Sequence, residues 1–424
     1  MKIMWLCNIM PVQIAKALKK PFRSTNGWIN VLYEFLAKEA EIELTVLFPV
    51  DKCEQIIYDQ IDGTNCISFF QDYKRPERYE TEQKDYFKMI LERVEPDVVH
   101  IWGSEYPHTL AMVYACAEKN WSSRVVISIQ GLISVCARHY TAALPEKVVK
   151  GKTLRDFLKW DGVKESQKKF EKRGKLEIEA LKRVNHVIGR TEWDYACAKQ
   201  INPDIIYHKG NEILRESFYC GTWELETCEK HSIFLSQWGY PLKGMHMVLE
   251  ALRDVVQEYP DAKLITTGKN PLKATGKEKI KQTYYERYLI NLIKKWNLEA
   301  HVVFLGGEIQ EEQMKDQYLK AHVFVLSSAV ENSPNSMGEA MLLGTPVIAS
   351  NVGGVSSLLT HDVEGFLYPF DEPYMLAYYI KRVFEENETA RKFSDAGRKR
   401  AALTHHVLKN VASYYAIYKE IKQE

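Results

Sequence analysis

Glu331 and Glu339 stand eight positions apart in the stretch Glu331-Asn332-Ser333-Pro334-Asn335-Ser336-Met337-Gly338-Glu339-Ala340-Met341. The apolar run Val323-Phe324-Val325-Leu326 just before it is short enough for a buried strand. Pro334 bars a helix from starting earlier and drives Ser333 to an extended conformation. Asn335 or Ser336 can cap the helix that follows. The spacing thus predicts a strand-to-helix turn, with Glu331 on the loop and Glu339 about one turn into the helix. The backbone N–H groups of Asn335, Ser336 and Met337 then point outward from a helix N-terminus, a ready site for phosphate. A carboxylate is a poor partner for phosphate, but it accepts two hydrogen bonds from a vicinal diol. The pattern suits a sugar nucleotide: amides and helix dipole on the diphosphate, Glu339 on a ribose, Glu331 on a hexose. Spacing alone also fits a solvated loop followed by a surface helix.

A cation belongs to the same chemistry. Lys243-Gly244 directly precedes a helix expected over Met245–Tyr259. A lysine at a helix N-terminus is disfavoured unless an anion sits there. Lys243 is therefore a candidate to neutralise a diphosphate.

The elements that must position these groups alternate along the whole chain. At 424 residues the chain is too long for one ordinary domain and suggests two of near-equal size. Strand-like runs fall at Lys2–Asn8, Glu43–Phe48, Asp97–Trp102, Arg124–Ile129, Val184–Gly189, Ile205–Tyr207, Ser232–Ser236, Leu264–Gly268, Val302–Gly307, Gly344–Ser350 and Glu364–Leu367. Helical patterns lie between them, among them one long charged helix over roughly Gly276–Trp296. The alternation predicts parallel α/β units. His100 and Gln130-Gly131 fall at or near strand carboxyl ends, where parallel sheets open their ligand crevices. Gly27 opens the first long helix and lets a backbone come close to a phosphate, or else simply makes a turn.

The formal net charge is +1, and no nucleic-acid fold signature is visible, so nucleic acid is not an expected partner. No apolar run approaches the ~20 residues that span a bilayer. Met1–Cys7 reads as a first strand and not as a signal peptide. Eight cysteines without C-x-x-C spacing read as reduced thiols in a cytoplasmic protein. From Glu146 to Arg183 cations outnumber acids, with Leu154, Phe157, Leu158, Trp160 and Phe170 interleaved. That run is either a solvated helix face or a surface for anionic lipid, joined by Lys16, Lys19, Lys20 and Arg23. The expected location is cytoplasmic, with the inner face of the plasma membrane as the surface met.

Glu331-x7-Glu339, then Ala340-Met341, Gly344-x-Pro346-Val347-Ile348-Ala349-Ser350, Gly353-Gly354 and Gly365-Phe366-Leu367 together resemble the family-4 retaining glycosyltransferases of the GT-B fold. The resemblance runs through most of the C-terminal half and is looser before it. It implies an α/β GT-B architecture: two doubly wound parallel-sheet, Rossmann-like domains facing across a cleft. Residues 1–210 would bind the acceptor and residues 211–404 the nucleotide sugar, with a helix at about 405–424 packing back on the first domain. It implies a UDP- or GDP-linked donor, a glycan or lipid-linked acceptor, retention at the anomeric carbon, no cofactor and no required metal. Glu331 and Lys243 would be the catalytic residues. Gln237 stands one residue out of register where the family has an arginine, which removes one positive charge from the diphosphate site. The strand end at Ile309 would meet the base through its backbone. Asn26-Gly27 keeps the second of two glycines that relatives often carry at a donor-phosphate contact. Gln130 stands where relatives often have a histidine contacting sugar or acceptor. A glutamine hydrogen-bonds but is no general base. The departures at Gln237 and Gln130 also fit a non-catalytic sugar-nucleotide binding subunit. A sugar-nucleotide epimerase shares the fold but lacks this two-glutamate context.

Overall fold

The computed structural model describes residues 1–22, 29–51, 56–307 and 309–423. Arg23, Asn26, Gly27 and Cys53 lie outside the described residues, and so does the donor contact expected at Gly27. The chain divides into two compact units. One holds Met1–Ala137, Lys169–Arg215 and His405–Glu424, the other Arg138–Lys168 and Glu216–Thr404.

The first unit is built on β1 (Lys2–Cys7), β2 (Glu43–Val50), β3 (Tyr58–Ile61), β4 (Thr64–Phe70), β5 (Val98–Trp102), β6 (Val125–Ser128), β7 (His186–Gly189) and β8 (Ile206–Lys209). Their order is β3-β4-β2-β1-β5-β6-β7-β8, parallel throughout except for the edge pair β3–β4. Ile3 to Cys7 are all buried, as expected where helices cover both faces of a parallel sheet. Chain order reverses between β1 and β5, so the crevice of this sheet opens at their carboxyl ends. The hairpin β3–β4 has no counterpart in the sequence reading. Its first strand, Tyr-Asp-Gln-Ile, is mostly polar and exposed, and an edge strand needs no apolar alternation.

The second unit carries β9 (Glu229–Leu235), β10 (Lys263–Thr266), β11 (Val302–Phe304), β12 (Ala321–Leu326), β13 (Val347–Ser350) and β14 (Gly365–Tyr368), in the parallel order β11-β10-β9-β12-β13-β14. The reversal lies between β9 and β12. The single helix expected over Gly276–Trp296 is two, Gly276–Ile280 and Tyr284–Lys295. Thr283 and Glu286 form a capping box that restarts the helix, and three residues of the pattern become its N-terminal approach.

Two segments belong to a unit other than that of their neighbours in sequence. The C-terminal helix Val407–Gln423 sits in the first unit, burying Tyr414, Ile417, Tyr418 and Ile421. The Tyr418 hydroxyl accepts from Trp5 Nε1 at 3.1 Å and lies 2.6 Å from His100 Nδ1. Arg138–Lys168, placed by the sequence reading in the N-terminal domain, packs within the second unit. There His246 Nε2 lies 2.7 Å from the Ala142 carbonyl, and the Tyr284 amide donates to Asp156 at 2.8 Å.

Burial also sets an acid limit. The rings of His246 and His405 are buried, and desolvation lowers each from 6.5 to about 4. Burial likewise depresses His100, His108 and His322. In the folded chain these rings stay neutral while the unfolded chain takes up protons. Their stabilisation is therefore complete above pH 6.5 and is lost as pH falls toward about 4. Each contributes up to about 1.4 kcal/mol per pH unit in that window. Burial pushes Glu105 and Glu177 up, which works in the opposite direction, but five histidines outweigh two glutamates. The unfolding midpoint should fall steadily when pH is lowered through this range in a calorimetric series. A midpoint that rises would contradict the assignment.

Candidate functional site

After β9 the chain passes Gln237, which is exposed, and Trp238, whose Nε1 donates to the Thr267 carbonyl at 2.7 Å. It then makes a single 3-10 turn, Pro241–Lys243, ended by Gly244. Gly244 has φ +68°, and a Cβ there would lie 1.8 Å from the Ser327 carbonyl oxygen, so only glycine fits. That approach laces the loop after β9 to the loop after β12. The Ser327 hydroxyl donates to the Lys243 carbonyl at 2.8 Å, and the Ala329 amide to the Leu242 carbonyl at 2.8 Å. The result is a contact the spacing alone could not give: Lys243 Nζ lies 2.5 Å from Glu331 Oε1. Their side chains are 18 % and 16 % exposed. The Ser328 hydroxyl donates to the same oxygen at 2.7 Å.

Glu331 is also fixed through its backbone. The Gly354 amide donates to the Glu331 carbonyl at 2.9 Å, and a Cβ on Gly353 would lie 1.9 Å from that oxygen. The Gly353-Gly354 pair is there to let the loop after β13 close on Glu331.

The helix Asn335–Leu343 begins on Pro334 and has no side-chain cap. This corrects the expectation that Asn335 or Ser336 caps it. Both are already helical, so neither side chain reaches back over the first amides. The Met337 amide donates to the Pro334 carbonyl at 3.0 Å and its side chain is buried, so the outward amides are those of Asn335 and Ser336. Asn335 Oδ1 is buried without a hydrogen-bond partner. Glu339 lies on the helix, 5 % exposed, with the Tyr318 hydroxyl at a long 3.5 Å. Ile309 is half-buried after β11, near the Gly306 amide's bond to the Gly268 carbonyl at 3.1 Å.

In the first unit His100 is not available to an acceptor, a second correction. It lies inside β5, fully buried, with Nδ1 on Tyr418 and Nε2 on the Ser128 hydroxyl at 2.7 Å. Gln130 is half-buried, and its Nε2 has no hydrogen-bond partner. Gly131 adjoins open space: a Cβ there would meet nothing within 4 Å. The sequence reading assigns no role to Glu105, three residues after β5 at the sheet's reversal. Asn8 Nδ2 donates to its Oε2 at 2.8 Å, and His108 Nε2 lies 2.7 Å from Asn8 Oδ1. Burial pushes the Glu105 carboxyl up to about 7, helped by the nearby Glu177. Its place just past a strand end at the crevice was the available signal.

The strand ends, the lysine–glutamate pair and the open helix start all lie within a stretch that matches a known family. Residues 227–400 match the family described as Glycosyl transferases group 1. This part of the chain is a group 1 glycosyltransferase domain. The chain is similar to the putative glycosyltransferase YtcC of Bacillus subtilis, 29 % identical over 38 % of each chain. It is similar to the N-acetyl-alpha-D-glucosaminyl L-malate synthase of Bacillus anthracis, 24 % identical over 43 % of this chain and 44 % of that one. The match thus spans less than half the length of these curated relatives. Solved structures align over nearly everything. Sucrose-phosphate synthase of Thermosynechococcus elongatus covers 99 % of both chains with a TM-score of 0.70 at 16 % identity. Anabaena HepE in complex with UDP and glucose covers 99 % of this chain and 100 % of its own with a TM-score of 0.68 at 17 % identity. The two α/β units of the chain have the GT-B fold.

Proposed function

We propose that the protein transfers a glycosyl group, with retention and without a required metal, from a UDP- or GDP-linked sugar to a glycan or lipid-linked acceptor in cell-surface polysaccharide synthesis. The observation that carries this reading is the Lys243–Glu331 pair, held beside the uncapped start of the Asn335–Leu343 helix. Departure of the nucleoside diphosphate develops negative charge, which Lys243 and the Asn335 and Ser336 amides meet without reorganising. Both bonds to the Glu331 carboxylate fall on Oε1, which leaves Oε2 to accept from a hexose hydroxyl. Relatives named for glycolipid and wall-polymer synthesis support the acceptor class, among them a phosphatidyl-myo-inositol mannosyltransferase, 27 % identical over 40 % of this chain.

A thermal-shift screen of UDP- and GDP-sugars in excess chelator tests it. A donor at 100 times its dissociation constant adds ~2.7 kcal/mol of stability. No shift with any nucleoside-diphosphate sugar would sink the proposal. The exposed, neutral Gln237 favours a second reading, a binding subunit without turnover. Slow donor hydrolysis separates the two, because a subunit that only binds leaks none.

Glu339→Ala should weaken UDP and UDP-sugar alike, by about 1.5–3 kcal/mol, as a charged hydrogen bond to the ribose is lost. Isothermal calorimetry checks it. If the variant binds UDP as the wild type does, Glu339 does not hold the ribose.

A further inference from the structure

The short helix Leu154–Lys159 is inside out. Leu154, Phe157 and Leu158 share one face, at i, i+3 and i+4. They are 69 %, 62 % and 70 % exposed, and Trp160, which ends the helix at φ +52°, is 68 % exposed. The residue turned inward is a carboxylate, Asp156, which is buried. It accepts from the Thr153 amide at 3.0 Å and from the Tyr284 amide at 2.8 Å, so it caps its own helix and the helix Tyr284–Lys295 together. Gly151 lies flat on the Tyr284 ring, where a Cβ would come within 2.2 Å. Arg155 Nη1 lies 2.6 Å from Asp161, and Lys152 Nζ 2.5 Å from Glu165. The apolar side chains are therefore not on a loose loop. A polar network inside the second unit holds them out in solvent.

Their surroundings decide what covers them. Between Lys147 and Lys164 there are six cations and two carboxylates, and both carboxylates, Asp156 and Asp161, are taken up internally. Lys147, Lys150, Lys159 and Lys164 are exposed, and Lys159 stands between Leu158 and Trp160. Lysine is depleted from the cores of protein–protein interfaces. Lysines beside protruding leucine and aromatic side chains suit the headgroup boundary of an anionic bilayer, where the rings enter and the ammonium groups meet phosphate. The area is too small to span: no described helix is long and apolar enough to cross a membrane. The sequence reading places the whole basic run, Glu146 to Arg183 with Arg173 in it, on the N-terminal domain. Arg173 is instead buried, with Nε donating to the Glu105 carbonyl at 2.7 Å, so it is not free for lipid.

We infer that the Leu154–Trp160 projection of the second unit seats the protein on an anionic membrane surface. The inference deepens the proposed function by naming the surface and the residues that meet it. Vesicle binding is measured without any sugar, so it can fail while transfer stands, and the reverse.

The experiment is co-sedimentation of the full chain with phosphatidylcholine vesicles, with and without phosphatidylglycerol. Binding should require phosphatidylglycerol and fall as salt is raised. The double variant Phe157→Ser, Trp160→Ser should bind about tenfold more weakly or worse, because its two rings leave the bilayer. Lys159→Glu with Lys164→Glu is the second variant and should also lose binding while leaving the apolar face intact. An unchanged unfolding midpoint is expected for both, since these side chains are mostly exposed. Equal recovery in the supernatant with both vesicle types overturns the inference, as does a serine variant that sediments like the wild type. A dimer in sedimentation velocity that the serine variant converts to monomer also overturns it, in favour of a second copy of this chain as the cover.

Discussion

Replacing Lys243 by alanine should lower turnover by about 10²–10³-fold, the usual effect of removing one preorganised group at a developing oxyanion. On the proposed reading Lys243 meets the diphosphate without the arginine that the family resemblance implies, because Gln237 is neutral. The cost to the fold should be moderate. The Lys243–Glu331 pair is part-buried, so its loss lies between the roughly 0–1 kcal/mol of an exposed pair and the about 3–5 kcal/mol of breaking a fully buried one. The loop geometry rests instead on Gly244 against Ser327 and Gly353 against Glu331, which the substitution leaves in place. A companion variant separates leaving-group stabilisation from sugar binding. Glu331→Gln keeps the shape and the bond from Ser328 but gives up the carboxylate, so it should lower turnover while free UDP binds nearly as before. Steady-state rates with the donor identified in the screen, beside calorimetric UDP affinities, make the comparison. If Lys243→Ala keeps wild-type turnover, the lysine is a structural partner of Glu331 and nothing more.

Legibility from sequence followed physics. Parallel strands buried on both faces are continuous apolar runs, and β1, β9 and β12 could be read directly. β3 could not, because an exposed polar edge strand carries no such signal. The position of Glu331 past β12 and of Lys243 before a helix was visible in spacing, but their contact was not. It depends on a close approach of two loops that sequence separates by 88 positions, allowed by one glycine. His100 illustrates the converse. Its place near a strand end suggested a crevice, yet a tyrosine on the last helix, 318 positions on, closes over its ring. Arg138–Lys168 misled for the same reason. Chain order placed it in the first unit, while one buried aspartate ties it to the second.

The largest effect on stability should come from a pair far from this chemistry in sequence. Arg190, just after β7, meets Glu212 with both side chains almost wholly buried, 2 % and 3 % exposed. The pair organises the first unit. Arg190 Nη1 also donates to the Ile129 carbonyl at 3.1 Å, one residue before Gln130. The Glu212 carbonyl accepts from Asn410 Nδ2 at 3.3 Å and lies 2.9 Å from His405 Nδ1, which ties down the start of the terminal helix. Taking away one partner leaves an uncompensated charge in the interior, and Glu212→Ala or Arg190→Met should each cost about 3–5 kcal/mol. The double variant Arg190→Met, Glu212→Leu leaves no charge behind. It should therefore be more stable than either single variant, the opposite of what two independent losses would give. Urea unfolding provides the totals, and amide exchange along Val407–Gln423 should quicken in the single variants as that helix loosens. A double variant whose loss equals the sum of the single losses would show that the two side chains act independently, and the buried pair would then not be what holds the terminal helix in place.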